Sequence, residues 1–160
     1  MQATATKNEF RFYRAPSEFV TKHWEAIKHL IVDALPPYIG KEEDLLASLI
    51  ESVIKEKVFV WLVIPADKDR SMDIVGGFTT YITADPLTGN KSLVVYTLAA
   101  SKELRGKGAL LAVKEGLEKI KLYAKGKGCS TVVGVVRNPG LAKQYQLLGG
   151  TLTSMVHWEV

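Results

Sequence analysis

Apolar residues change their spacing several times along this chain, and each change marks an element. From Glu9 to Arg14 (E-F-R-F-Y-R) apolar and charged residues alternate, the period of a strand with one solvated face, here an edge strand. Beyond Pro16 the spacing becomes helical: Phe19, Trp24, Ile27, Ile31 and Ala34 fall on one stripe, Ser17 is placed to cap the first turn, and Pro36-Pro37 stops the helix. A second helix is predicted over Glu42 to Lys57, with Leu45, Leu49 and Val53 on its inner face. The run Val58 to Ile64 is apolar and rich in β-branched residues, which predicts a strand covered on both faces.

After a polar connection, Asp73 to Ala84 reads as a strand interrupted by Gly76-Gly77, where a bulge or a close backbone approach is expected. Asp85 to Asn90 is a hairpin turn, and Ser92 to Ala100 returns as the next strand of an antiparallel meander. A long helix follows over Ala109 to Lys125, carrying Leu110, Val113, Leu117 and Ile120 inward and ending at Gly126-Lys127-Gly128. Ser130 to Val136 (S-T-V-V-G-V-V) is expected to be a second buried strand. Reached through a helix, it is expected to lie parallel to its predecessor. Asn138 caps a short helix that begins at Pro139 and ends at Gly149-Gly150, and Thr151 to Val160 supplies one long strand or two short ones. The resulting order, β-α-α-β-β-β-α-β-α-β, describes one α/β domain with a mixed sheet spanning residues 1–160.

Composition narrows the classes of partner. With 160 residues the chain has room for one sizeable core, and 47% hydrophobic with 24% charged residues is an ordinary globular balance. No apolar run approaches the roughly 20 residues a bilayer needs, and the polar N-terminus shows no signal peptide. The single Cys129 excludes an internal disulfide and a cysteine-based metal cluster, and a reducing cytoplasmic setting is expected. His23 and His29 lack further ligands at metal-binding spacing, so no metal is expected. Charge is uneven: residues 101–160 hold ten Lys/Arg against four Glu, a surplus of +6, within a net charge of +4. That half suits a polyanionic ligand, and a phosphorylated cofactor is favoured over nucleic acid because aromatic residues are not interleaved with the basic ones.

The chemistry concentrates in L-A-A-S-K-E-L-R-G-K-G-A-L, Leu98 to Leu110. A strand that passes through a glycine-rich turn into a helix points unpaired N–H groups and the positive end of the helix dipole at one place, which is an anion site. The alternative reading of the same turn is an ordinary strand-to-helix connection with a few glycines. It resembles the R-x-x-G-x-[GA] signature of the GNAT N-acyltransferase superfamily, with Arg105 and Gly108 in place and Leu110 where glycine or alanine is usual. The later stretch N-P-G-L-A-K-Q-Y-Q-L-L-G is similar to a second motif of that family, matching at Asn138, Tyr145 and Gly149, with Gly150 in place of the usual phenylalanine.

The resemblance implies a central pair of parallel strands that splay apart after Ala100, with acetyl-CoA as cosubstrate in the gap. Backbone groups of Leu98, Ala99 and Ala100 would pair with its pantetheine arm, and Arg105, Gly106, Lys107, Gly108, Ala109 and Leu110 would hold its pyrophosphate. Asn138 would bond the pantetheine arm, although capping the last helix also explains it. Tyr145 would donate a proton to the leaving thiolate, since a phenol lies near a thiolate in acidity. The implied activity is direct transfer of an acetyl group to a primary amine in a ternary complex.

The general base is not identified: Leu93 to Ala100 hold no carboxylate, and Asp73, Asp85 and Glu159 lie only near strand ends. A GNAT-fold protein that has lost catalysis and acts as a structural or binding module is the alternative, favoured by Leu110, Gly150 and the missing carboxylate. An RNA-associated basic domain has the charge asymmetry alone behind it. The sequence leaves open the amine acceptor and whether two copies pair through the last strand.

Overall fold

The computed structural model describes residues 8–35, 42–67, 73–101, 104, 107–136, 139–154, 156, 158 and 160, with only the backbone of 42–46 and 107. Five strands, β1 (Phe10–Ala15), β2 (Phe59–Pro65), β3 (Gly76–Ala84), β4 (Lys91–Ala100) and β5 (Cys129–Gly134), lie side by side in sequence order. β1 to β4 are antiparallel to their neighbours, and β5 runs parallel to β4 through the crossover helix α4 (Lys107–Gly126). Helices α1 (Ser17–Lys22), α2 (Trp24–Val32) and α3 (Glu42–Ile54) separate β1 from β2, and α5 (Pro139–Leu147) follows β5.

The near-continuous apolar β2 is buried as its composition requires, because successive side chains serve two different layers. Val60 and Leu62 join Val20, Ile27, Ile31 and Val53 beneath α1 to α3. Trp61 and Val63 join Phe78, Leu93, Ala112 and Ile120 on the face covered by α4. α4 is tied to the edge strand at two points. The Glu115 carboxylate accepts the N–H groups of Glu9 (2.9 Å) and Phe10 (3.0 Å). Gly116 lets the Phe12 ring in so close that an added Cβ would stand 2.9 Å from Cε1.

Several boundaries differ from those the sequence suggests. The first helix is two helices, broken at His23 (φ −109°, ψ 24°), which shifts the helical phase and turns Val20 fully inward alongside Ile27 and Ile31. Pro16, not Ser17, occupies the cap position, with no side-chain cap bond; its extended backbone (ψ 153°) starts the helix one residue early. α3 stops at Ile54, where the Lys57 N–H folds back to the Ser52 carbonyl and Glu56 takes a left-handed φ of 55°. α4 begins at Lys107, two residues ahead of the expected start.

The last expected strand is not formed among the described residues of 151–160; Leu152, Val156 and Trp158 are exposed there. β5 is itself thinly covered, with Val133 and the following Val135 exposed, so it offers an added strand little apolar surface to share. No helix among the described residues is long and apolar enough to cross a membrane.

Candidate functional site

The site is built on an irregularity in β4. Its register with β3 steps from Thr80↔Val95 to Thr79↔Thr97, so Tyr96 is an extra residue, a β-bulge. Along a regular strand, successive residues turn their N–H and C=O groups to alternate edges. Val95 turns toward β5, its carbonyl accepting the Val135 N–H at 3.2 Å. Unbroken alternation would turn Thr97, Ala99 and Ser101 the same way, and the extra residue reverses this. The Thr97 N–H donates to Thr79 Oγ1 on β3 at 3.2 Å, and the Ser101 N–H donates to the Val75 carbonyl at 2.8 Å. Leu98 and Ala100 therefore turn to the opposite edge.

On that edge β4 has parted from β5. Their register ends at Val95↔Gly134, earlier than the separation after Ala100 expected from the sequence, because a bulge bends and twists its strand. Ala99, the middle residue of the expected trio, faces the other strand. It pairs with Gly77, and its carbonyl lies 3.0 Å from where a Cβ on Gly76 would stand, so its polar groups are directed at β3. The paired glycines thus mark a close backbone approach, one of the two readings their position allows.

Beyond Ala100 the chain turns tightly, with the Leu104 N–H donating to the Ser101 carbonyl at 3.1 Å. α4 then opens at Lys107, and its first four N–H groups, Lys107 to Leu110, lack intrahelical acceptors. No acidic residue stands in that first turn to compete with an incoming anion. Gly108 and Ala109 are half-buried, and the Leu110 side chain is 37% exposed, turned at least partly to solvent. Arg105, Gly106 and Asn138 lie outside the described residues, as does Glu159.

Ser101 links the open strand edge to the helix. Its Oγ is fully buried and has no hydrogen-bond partner, the one such side-chain atom found among the described residues. An unpaired buried hydroxyl costs about 1–3 kcal/mol, so this one suits a ligand that brings acceptor oxygens. Open backbone groups, an acid-free helix N-terminus and an orphan hydroxyl together fit a long ligand ending in a phosphate. Nothing in the sequence marks Ser101 except its place at a strand end.

Tyr145 lies on α5, half-buried, with no hydrogen bond from its hydroxyl to a described residue, and burial pushes its phenol up to about 12. Gly149 (φ 93°) ends α5, and the Gly150 N–H returns to the Tyr145 carbonyl at 3.0 Å, fixing the backbone that carries the ring. Asp85 is committed elsewhere. Its carboxylate accepts the Leu87 and Thr88 N–H groups (2.9 and 2.8 Å) and the Thr88 hydroxyl (3.0 Å), and the Thr88 amide above all holds it below the usual carboxylate range. It precedes the start of β4, on the order of 30 Å of strand from Ala100. Asp73 lies at the Ala100 end of the sheet and is exposed. No group of three His, Cys, Asp or Glu residues placed to hold a metal occurs among the described residues.

The backbone phases have a direct readout. In amide hydrogen exchange, Thr97, Ala99 and Ser101 are expected to exchange slowly, and Leu98 and Ala100 faster by about tenfold or more. Equal protection of all five would mean that the strand is not bulged.

No protein-family profile matches the sequence, and no curated protein does. Solved structures match over nearly the whole chain. An aminoglycoside acetyltransferase from an uncultured soil metagenomic sample, in complex with sisomicin, is 15% identical with a TM-score of 0.68, covering 96% of each chain. A Clostridium acetobutylicum protein described as a predicted acetyltransferase, solved with acetyl-CoA, is 13% identical with a TM-score of 0.68, covering 94% of this chain and 96% of its own. A GNAT family acetyltransferase of Staphylococcus aureus is 15% identical with a TM-score of 0.60, covering 95% and 98%.

Proposed function

The chain has the fold of the GNAT acetyltransferases, and on that premise we propose that it is an acetyl-CoA-dependent N-acyltransferase that moves an acetyl group directly to a primary amine in a ternary complex. The observation that carries this reading is the open edge at Leu98 and Ala100, leading through the orphan Ser101 hydroxyl to the acid-free start of α4. Acetyl-CoA supplies the activated acyl group. The chain's part is to bind and orient it: backbone groups of Leu98 and Ala100 along the pantetheine arm, and the α4 N-terminus with Arg105 on the pyrophosphate. As the amine nitrogen bonds the carbonyl carbon and the C–S bond breaks, Tyr145 donates its hydroxyl proton to the leaving sulfur, and the proton the amine releases returns through water to the phenolate. A cytoplasmic setting belongs to this proposal.

Isothermal titration with acetyl-CoA, beside Arg105→Glu, tests the reading. Binding in the micromolar range, about −8 kcal/mol, is expected, and charge reversal should weaken it by about tenfold or more. No binding by the wild-type protein overturns the proposal. The acceptor is sought by thiol release with a panel of primary amines in which sisomicin is one probe.

A second reading, a GNAT-fold module that binds without turnover, draws on Asp85. The hairpin holds its carboxylate far from the open edge, leaving no base assigned there. Acetyl-CoA binding with no transfer to any amine would favour it.

A further inference from the structure

Thr79 and Thr97 face each other across β3 and β4 at the step in register, and they are 0% and 2% exposed. Their hydroxyl oxygens stand 2.6 Å apart, and Thr79 Oγ1 also accepts the Thr97 N–H at 3.2 Å. Valine would fill the same space without burying oxygen, as Val94 does on the same strand. The pair also stands at a particular place, since Thr97 directly follows the extra residue Tyr96. A strand with one extra residue has an alternative: it can slip by one position and run on regularly. That slip would turn Thr97, Ala99 and Ser101 to the open edge and hide Leu98 and Ala100 against β3.

We infer that Thr79 is a positioning residue for acyl-donor binding: its hydroxyl captures the Thr97 N–H, locks the bulge at Tyr96, and so makes Leu98 and Ala100 the residues that meet the donor. A side-chain acceptor at this point is available only when Thr97 faces β3, so it stabilises the bulged phase over the slipped one. The ligand in this inference rests on the acyl-donor reading above; the phase of the strand does not.

The test is titration of acetyl-CoA into wild type, Thr79→Val, Thr79→Ala and Thr79→Ser, with ligand-free amide exchange on the same proteins. Thr79→Val is expected to bind about tenfold more weakly, the effect of stranding one buried amide, and to exchange faster at Ala99. Thr79→Ser, which keeps the oxygen, should return both readouts to within about twofold of wild type. A folded Thr79→Val protein with wild-type affinity and slow Ala99 exchange overturns the inference. If Thr79→Val does not fold, Thr79→Ala and Thr79→Ser decide: both lose packing, only serine keeps the acceptor, and equal behaviour of the two overturns it. Failure of the wild-type protein to bind acetyl-CoA would sink the acyl-donor reading, while the exchange patterns would still support or overturn the phase lock.

Discussion

Tyr145→Phe should lower acetyl transfer about a hundredfold, in the range of a lost general acid, and leave acetyl-CoA affinity within about twofold. The two side chains share a ring and differ by one hydroxyl, so the proposed binding through the β4 edge and α4 should be untouched. In the proposed role, burial bears on how that hydroxyl would work. A free phenol titrates near 10 and a thiol at about 8.5, so passing a proton from phenol to thiolate is uphill by roughly thirtyfold. Burial pushes Tyr145 up to about 12 and widens the gap. If Tyr145 acts as proposed, such a phenol would hold its proton until negative charge has built up on sulfur, stabilise that charge by a hydrogen bond and release the proton late.

The pH dependence follows with a definite sign. A raised phenol stays neutral throughout the neutral and mildly alkaline range, so the Tyr145-dependent part of the rate should show no decline centred at 10. For stability, the buried phenol's contribution is fully present below 10, its unfolded value, and is lost as pH rises from there through about 12. Initial rates of thiol release for both proteins across pH measure the first point. A Phe variant at wild-type rate would remove Tyr145 from the chemistry.

Local punctuation explains what could be read before the structure. The glycine-rich turn, the long helix after it and the hairpin at Asp85 are each written in adjacent residues, and the continuous apolar runs announce β2 and β5 as strands. The missed features depend on partners distant in sequence. Nothing near His23 breaks a helix by composition; the break is settled by which residues reach the sheet. The bulge at Tyr96 exists only relative to Thr79 on another strand, and threonine in a strand otherwise signals nothing beyond β propensity. Ser101 becomes notable only once burial strips it of water. That the strand expected over 151–160 is absent among the described residues was not legible, because β5, the edge it would join, is thinly covered, and that exposure appears only in the folded chain.

The largest loss of stability is expected from Leu62→Ala, about 3 kcal/mol as for other fully buried leucines. Leu62 is 0% exposed and packs with Val20, Ile27, Ile31 and Val53, so three helices lose contact with one side chain and a cavity remains. For a chain of this size that is a fall in Tm of about 10 °C. Leu62 pairs with Gly77, which pairs with Ala99, placing it in the same row of the sheet as the donor site. The row is not expected to transmit the damage, because the proposed donor groups lie on the open edge of β4 and, on the inference above, their phase is set at Thr97. Leu62→Ala should thus lower Tm and leave the acetyl-CoA Kd of the folded protein within about twofold, the reverse of Thr79→Val. Thermal unfolding and titration of the two variants separate these effects. A Tm shift below about 3 °C for Leu62→Ala would mean that the helices close over the cavity and that this layer is not what holds α1 to α3 on the sheet.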